Sequence, residues 1–272
     1  MSKRIRAVFF DLDGSTLHSN LVFSETFLSL SRRYPDISWV ITTGRGMWSV
    51  KVLRLNEYFD SPIPHIFDNG AAICHFNGLP VRKHLLRTET RHDILTLLSE
   101  LPFIGCIYAS VFPDSGLVWS SYDRLSVCSP DLFHYHDFKS FADDVMKMEI
   151  TKISVKSSLP VDFPSNLNIM QNKNSFDVID LGVSKGSGIN TVRKLLKLNP
   201  QDIAFVCDDL NDLSAINHPS LKGMVIATVG KTLINVNAKI NVEAIEDVAR
   251  HIERMLVSHC GNKIAVGLLD KN

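Results

Sequence analysis

Short apolar stretches alternate with helical patterns along the first part of the chain. Residues 5–10 are largely apolar, with β-branched and aromatic side chains, and predict a strand buried on both faces. Ser24 is a suitable N-cap for the helix predicted to follow it. Further apolar strands fall at 39–41 and 66–67, with a helix predicted at 46–56 between them. This alternation predicts a doubly wound parallel sheet, the Rossmann-like kind of α/β fold.

The pattern changes near residue 80. Residues 88–101 form a helical pattern, and Phe141, Val145 and Met148 mark a second, shorter helix. Strand-like segments lie at 105–110, 116–120, 150–155 and 176–181. Because strands outnumber helices and turns separate them, this stretch predicts an α+β module.

The strand and helix rhythm of the first part then resumes. The predicted elements here are a helix at 187–198, buried strands at 203–206 and 225–227, and a closing amphipathic helix at 242–257. We therefore expect a core domain made of residues 1–80 and 183–272, with an inserted domain over 81–182.

Composition places the chain among ordinary globular proteins. Of its 272 residues, 45% are hydrophobic and 21% are charged, which excludes the disordered, collagen-like and coiled-coil classes. The 29 Lys and Arg residues balance 29 Asp and Glu residues, so nucleic acid and anionic membranes are poor partners. The 5 cysteines are widely spread, and no apolar stretch is long enough to span a membrane. We expect a cytoplasmic protein.

Polar clusters follow the predicted strands at the end where open α/β sheets bind ligands. The first cluster contains Asp11 and Asp13, and Gly14 lets the chain turn sharply there. A simple turn is the alternative interpretation of this pair. The second cluster contains Thr43 and Gly44, whose hydroxyl and N–H groups suit a phosphate oxygen. A helix N-cap is the better explanation of that cluster taken alone.

Two more clusters lie in the last third of the chain. Lys185 falls at the start of a predicted helix, where a cation opposes the helix dipole and an anion would offset the cost. A solvated surface charge is the alternative for a single lysine. The run after the strand at 203–206 crowds Asp208, Asp209 and Asp212 beside Asn211. Crowded carboxylates repel one another unless a cation compensates them, and oxygen ligands of this kind suit Mg²⁺, which favours a metal site over the alternative of a solvated loop.

Together, the order and placement of these clusters resemble the haloacid dehalogenase superfamily of phosphohydrolases. Its four motifs are matched in turn by Asp11 with Asp13, by Thr43, by Lys185 and by residues 208–212. The resemblance covers about 1–80 and 183–257. The long insert, with Asn69, Gly70 and Ala71 just before it, resembles subfamily IIB, the Cof-type sugar phosphatases with a C2B cap.

This resemblance implies a role for each matched residue. Asp11 is implied as the nucleophile that forms an aspartyl-phosphate, and Asp13 as the general acid and base. The implied Mg²⁺ ligands are Asp11, Asp13 (through its backbone carbonyl), Asp208 and Asp212, and the implied phosphate-binding residues are Thr43, Gly44, Lys185 and Asn211. The implied function is a Mg²⁺-dependent phosphatase of a small phosphorylated metabolite, above all a sugar phosphate, acting as a monomer or dimer.

Two other functions remain open from the sequence. A phosphosugar mutase would use the same carboxylates but keep water from the phosphoenzyme. A non-catalytic phosphate sensor would need neither a nucleophile nor a general acid, so the presence of Asp11, Asp13, Lys185 and Asp208 together argues against it. Ser15 and Cys207 stand where the family usually has Thr and Gly; Ser15 keeps the hydroxyl, and Cys207 is tolerated if its φ is negative.

Overall fold

The computed structural model describes residues 5–101, 105–120, 130–157, 161–172, 175–233 and 236–267, with side chains as far as residue 257. The chain divides into two compact units. The first unit comprises Met1–Ile41 with Ile189–Asn272, and the second comprises Thr42–Gly188. The predicted domain boundaries near residues 80 and 183 stay a prediction.

Helices and strands cover most of the described residues. The strands are β1 (Ala7–Phe10), β2 (Ser38–Ile41), β3 (His65–Phe67), β4 (Ala72–Cys74), β5 (Pro80–Lys83), β6 (Cys106–Val111), β7 (Ser115–Ser120), β8 (Leu132–Tyr135), β9 (Ile150–Lys156), β10 (Asn168–Asn172), β11 (Ser175–Ile179), β12 (Ile203–Cys207), β13 (Val225–Val229) and β14 (Ile240–Val242). The α-helices are α1 (Glu25–Arg33), α2 (Met47–Val52), α3 (Asn56–Phe59), α4 (Thr88–Glu100), α5 (Phe138–Lys147), α6 (Lys185–Leu195), α7 (Leu213–Ile216) and α8 (Ile245–Gly267). Short 3₁₀ turns lie at Asp68–Gly70, Pro200–Asp202, Leu210–Asp212 and Pro219–Leu221.

The first unit is built on a five-stranded sheet with the order β14-β13-β12-β1-β2. All of its neighbouring strands are parallel, which confirms the predicted parallel α/β fold. The chain starts at β1, adds β2 on one side, and later adds β12, β13 and β14 on the other. The winding direction therefore reverses between β1 and β12. In open α/β sheets, ligands bind beyond the carboxyl ends of the strands at such a switch point.

Helices of the first unit pack on this sheet through apolar faces. α1 contacts α8, and α8 also contacts β13 and β14. Arg33 of α1 pairs with Glu253 of α8. Ser24 caps α1 as predicted, because its hydroxyl accepts a hydrogen bond of 3.3 Å from the N–H of Phe27. The buried side chain of Phe27 then anchors the first turn against Phe10 of β1.

The second unit has the α+β composition that the sequence predicts. It contains a six-stranded sheet with the order β10-β11-β9-β6-β7-β8 and a three-stranded antiparallel sheet of β3, β4 and β5. One face of the larger sheet is apolar, where α4 and α5 bring Ile94 and Phe141 into one buried cluster with Ile153. Because side chains alternate along a strand, Lys152 and Ser154 lie on the opposite face.

Two predicted elements are wrong in detail. Residues 66–67 do not join the parallel sheet as a full strand; β3 pairs antiparallel with β4, because the tight turn at Asp68–Gly70 sends the chain straight back. Ile66 makes an isolated parallel bridge with Thr42. Val242 lies in β14 and not in the closing helix, since its carbonyl accepts a hydrogen bond from Gly230 and the helix begins at Ile245.

Over the described part of the chain, no helix is both long enough and apolar enough to cross a membrane. Cys74, Cys106 and Cys207 are buried free thiols. Cys207 lies inside β12 and is absent from the described residues with positive φ, so its replacement of a glycine is compatible with the strand.

The cap of α1 yields a stability prediction. Ser24→Ala removes the side-chain acceptor of the Phe27 N–H, so the free energy of unfolding should fall by about 1 kcal/mol. Urea denaturation at fixed pH and salt measures the change. Ser29→Ala, on the exposed side of the same helix, is the matched control and should be near neutral. Equal effects of the two substitutions would contradict the capping role.

Candidate active site

The chain turns sharply directly after β1. Asp11 is buried, and its N–H donates to the carbonyl of Val206 on β12 at 2.9 Å, so it is held in register with the neighbouring strand. The Leu12 carbonyl accepts hydrogen bonds from the N–H groups of Ser15, Thr16 and Leu17. These bonds close the turn and bury Leu12, while the side chain of Asp13 is exposed to solvent.

Three acidic side chains of the first unit converge beyond β1 and β12. Asp11, Asp208 and Asp212 each place a carboxylate oxygen within 4.8 Å of the others, and all three are buried. Asp11 follows β1 and Asp208 follows β12, so the convergence lies at the switch point of the parallel sheet. The carboxylate cluster does not include Asp13, which is exposed to solvent.

Gly14 and Ser15 fit closely around Asp208. Gly14 has a φ of +78°, and a Cβ at this position would lie 2.2 Å from Oδ2 of Asp208. Only glycine therefore allows this approach. The Ser15 hydroxyl donates to Oδ1 of Asp208 at 2.9 Å, which is the role that its retained hydroxyl can fill in place of threonine. Together they fix the orientation of the Asp208 carboxylate.

Asp212 holds the loop that carries Asp208. Its Oδ2 accepts hydrogen bonds from the N–H groups of Asp208 at 3.1 Å and Asp209 at 3.2 Å. The side chain of Asp209 accepts in turn from the N–H of Asp212, which completes a capping box at the start of the turn Leu210–Asp212, and it also accepts from the N–H of Leu210. Asp212 thus combines a structural role with its place in the carboxylate cluster. Asn211 lies between Asp209 and Asp212 in sequence and is 8% exposed.

The chemistry of this donor set fits a hard divalent cation. Three buried carboxylates at close range repel one another unless a positive charge compensates them. Their donors are all oxygen atoms, which Mg²⁺ prefers to nitrogen or sulfur. Burial of Asp11, Asp208 and Asp212 without such a charge would be costly. The residues therefore fit the Mg²⁺ site that the sequence predicts.

In the second unit, Thr43 and Gly44 lie in a backbone segment with closely defined hydrogen bonds. The N–H of Thr43 donates to the carbonyl of Ile66 at 2.9 Å, and the N–H of Arg45 donates to Oγ1 of Thr43 at 3.1 Å. A Cβ on Gly44 would lie 3.0 Å from Oδ1 of Asn69. The hydroxyl of Thr43 is thus already engaged with its own segment, whose shape it helps to fix.

Lys185 is a fully buried lysine, with 0% of its surface exposed. It begins α6, one residue after Ser184, whose hydroxyl accepts a hydrogen bond of 3.1 Å from the N–H of Ser187. The helix therefore starts two residues earlier than predicted. Lysines are almost never fully buried without compensation, so the interpretation of Lys185 as a solvated surface charge is wrong.

The turn Asp68–Gly70 joins these two parts of the second unit. Asp68, Asn69 and Gly70 all have positive φ, of 50°, 54° and 98°. A Cβ on Gly70 would lie 2.2 Å from the carbonyl oxygen of Ser184, directly before Lys185. Only glycine permits this contact, which explains the glycine at position 70.

Sequence reasoning missed a buried polar network beside this turn. Asp68 accepts hydrogen bonds from Ser110 and Thr151, both at 2.8 Å, and Asp177 accepts from Asn69 at 2.7 Å. Burial raises the pKa of Asp68, although these hydroxyls and the nearby Lys152 oppose the shift. A signal was present in the sequence: Lys152 and Asp177 are charged residues with apolar neighbours inside β9 and β11.

The structure therefore brings together some of the predicted site residues and leaves others apart. In the first unit it gathers Asp11, Asp208 and Asp212, with Asn211 on the same loop as the last two. In the second unit the Asp68–Gly70 turn contacts both the Gly44 segment and the carbonyl before Lys185. The roles of these residues stay a prediction.

A protein-family model matches most of the chain. The model of haloacid dehalogenase-like hydrolases matches residues 8–227. The chain belongs to this family. The predicted resemblance and the expectation of an enzyme, a hydrolase, are therefore confirmed. A search of curated proteins finds no significant match.

Solved structures support the same fold. A protein from Thermotoga maritima is 18% identical, with a TM-score of 0.68 over 92% of this chain and 97% of that one. A subclass IIB sugar phosphatase of the superfamily is 17% identical, with a TM-score of 0.70 over 92% and 98%. A phosphatase from Bacteroides thetaiotaomicron is 18% identical, with a TM-score of 0.68 over 93% and 96%. These likenesses show the fold and agree with the predicted Cof-type architecture.

The fit around Asp208 yields a prediction on metal binding. Gly14→Ala should abolish Mg²⁺ binding, because the added carbon would lie 2.2 Å from Oδ2 of Asp208. Isothermal titration with Mg²⁺ measures the effect. Gly223→Ala is the matched control: its φ of +98° is strained for alanine too, but no atom lies within 4 Å of the added carbon. Equal Mg²⁺ affinities of the two variants would refute the prediction.

Proposed function

We propose that this protein is a Mg²⁺-dependent phosphatase that hydrolyses a small phosphorylated metabolite through an aspartyl-phosphate intermediate. The observation that carries the proposal is the convergence of Asp11, Asp208 and Asp212 beyond β1 and β12. Three buried carboxylates in a family of hydrolases are suited to metal-assisted transfer of an anionic group.

Asp11 is the proposed nucleophile. One of its carboxylate oxygens attacks phosphorus, and the bond between phosphorus and the leaving alcohol oxygen breaks, which gives an aspartyl-phosphate. A fixed carboxylate is needed for such an attack. The backbone that carries this side chain is held in place, because the N–H of Asp11 bonds to β12 and the Thr16 hydroxyl donates to the Asp11 carbonyl at 2.7 Å.

Asp13 is the proposed general acid and base. It donates its proton to the leaving alcohol oxygen in the first step. In the second step it takes a proton from the water that attacks the phosphorus of the aspartyl-phosphate, which releases phosphate and restores Asp11. An exposed carboxyl group suits this role, since it can exchange protons with solvent, and Asp13 is exposed while Asp11 is buried.

The cluster of Asp11, Asp208 and Asp212 is the proposed Mg²⁺ site, together with the backbone carbonyl of Asp13. When bound there, Mg²⁺ supplies positive charge that offsets both the carboxylates and the phosphoryl oxygens. Gly14 and Ser15 orient Asp208 for this purpose, and Asp212 holds the loop through its hydrogen bonds to backbone N–H groups.

Thr43, Gly44, Lys185 and Asn211 are the proposed ligands of the phosphoryl oxygens. Lys185 supports this assignment because a fully buried ammonium group is favourable when it meets an anion. The main substrate class that we propose is a sugar phosphate. A structurally similar protein is named as a subclass IIB sugar phosphatase, and its fold matches 92% of this chain.

Phosphate release tests the proposal. Wild-type protein with Mg²⁺ should release phosphate from p-nitrophenyl phosphate and from some members of a sugar phosphate panel, and EDTA should stop the release. Asp11→Asn should lower kcat on the order of a thousandfold or more, because it removes the nucleophile. Asp36→Asn, an exposed aspartate of the same unit, is the matched control and should be unaffected.

Other outcomes would point elsewhere. Isomerised sugar phosphate without free phosphate would indicate a mutase. Folded protein that binds phosphate but transforms no compound would indicate a sensor. Either result, or full activity of Asp11→Asn, would contradict the proposed phosphatase.

A further inference from the structure

Three successive carbonyl groups of residues 43–45 each accept a hydrogen bond within the second unit. The N–H of Asn69 donates to the carbonyl of Thr43, and the N–H of Asp68 donates to that of Arg45, both at 3.0 Å. The middle carbonyl, that of Gly44, accepts instead from the side chain of Lys152 on β9. One long-range side chain thus completes the set.

The Lys152 contact has a consequence for Thr43. A peptide group is planar, with its C=O and N–H pointing in opposite directions. Fixing the Gly44 carbonyl therefore also fixes the N–H of Arg45, which donates to Oγ1 of Thr43 at 3.1 Å. The chain of contacts runs from Lys152 through one peptide plane to the hydroxyl that we propose as a phosphate ligand.

Lys152 is itself held by two acidic residues. Its side chain is 8% exposed, and Nζ lies 3.8 Å from Oδ1 of Asp68 and 3.6 Å from Oδ2 of Asp177. An ammonium group has three N–H donors, and with the Gly44 carbonyl it faces three acceptors. These contacts position the ammonium group of Lys152 against a single backbone group, the carbonyl of Gly44.

A bulge in β9 helps to build this arrangement. The register between β6 and β9 shifts so that Thr151 has no partner residue, while Ser110 pairs with Lys152. The two consecutive residues Thr151 and Lys152 can both approach Asp68, which regular alternation would prevent. β-bulges are common beside active sites because they re-aim side chains.

Structural stability alone is a weak reason for this cluster. Well-packed apolar residues usually stabilise a fold as well as a buried ion pair does. Here the acidic residues are also satisfied by other donors: Asp68 by Ser110 and Thr151, and Asp177 by Asn69 and by Ser154 at 2.6 Å. What Lys152 adds to these is the bond to Gly44.

We propose that Lys152 is a positioning residue for phosphate binding, acting through the Gly44–Arg45 peptide on Thr43. The inference rests on the proposed function. It assigns a role in the reaction to β9, a strand far along the chain from every motif that resembles the family. Loss of Lys152 should weaken binding of the phosphoryl group, while the fold should be retained.

The test compares variants that separate charge from position. Lys152→Met alone leaves two buried carboxylates without their cation and can unfold the protein. Lys152→Met/Asp177→Asn removes one positive and one negative charge, so the cluster keeps its net charge. Asp177→Asn alone is its reference. Lys83→Met, which breaks the exposed pair with Glu149, controls for the loss of any lysine from this unit.

The readouts are the inhibition constant of inorganic phosphate, KM and kcat for p-nitrophenyl phosphate, and the melting temperature. The double variant should bind inorganic phosphate at least tenfold more weakly than Asp177→Asn and show a raised KM. Lys152→Arg, which keeps a charged donor, should retain most of the wild-type affinity for inorganic phosphate. Lys83→Met should match wild type.

Each remaining outcome is decisive. A double variant with a lower melting temperature but a phosphate constant within twofold of Asp177→Asn overturns the proposal, since Lys152 would then only stabilise the fold. Failure of both Lys152→Met and Lys152→Met/Asp177→Asn to fold overturns it too. If wild type neither releases nor binds phosphate, the proposed function itself fails. If wild type is active but its inhibition constant for phosphate does not depend on Lys152, only the role of Lys152 fails.

Discussion

Repulsion among three buried carboxylates is the constraint on which the first unit depends. Asp11 and Asp208 are fixed by adjacent parallel strands, so neither can move away from the other. Gly14 removes the side chain that would collide with Asp208, and Ser15 donates a hydrogen bond to it. Such an arrangement is unfavourable without a cation. The geometry therefore suits the proposed Mg²⁺ site, at the switch point where the sheet reverses its winding.

The second unit buries positively charged side chains, where the first unit buries carboxylates. Lys185 is fully buried, and Lys152 is almost so. For Lys152 the compensation is explicit, with Asp68, Asp177 and the Gly44 carbonyl around one ammonium group. The strained turn Asp68–Gly70 makes this possible, because three successive residues with positive φ bring backbone N–H groups against residues 43–45. Strain of this kind is typical of functional sites.

Much of this could be predicted from the sequence, and the reason is local. Asp11 and Asp208 directly follow apolar strands, so parallel pairing alone brings the ends of those strands together. The cap of α1 at Ser24 likewise depends only on residues that are adjacent in sequence. Short segments were harder to predict, since Val242 continues the amphipathic pattern of α8 although its backbone pairs as a strand.

The network around Lys152 could not be predicted for a different reason. Its members come from separate strands and connecting turns, and their contacts depend on sheet order and on a register shift in β9. A lysine inside an apolar strand indicates only that the charge must be compensated. Which residues compensate it, and that Gly44 is among its contacts, follows only from the tertiary structure.

The central claim is that the carboxylate cluster makes Asp11 the residue that carries the phosphoryl group. Acid quench during turnover with Mg²⁺, followed by borohydride reduction and peptide mass analysis, tests it most directly. The reduction converts a phosphorylated aspartate to homoserine. The account predicts that homoserine replaces Asp11, and that none forms in Asp11→Asn. Homoserine at another aspartate, or steady phosphate release with no modified residue, would contradict the account.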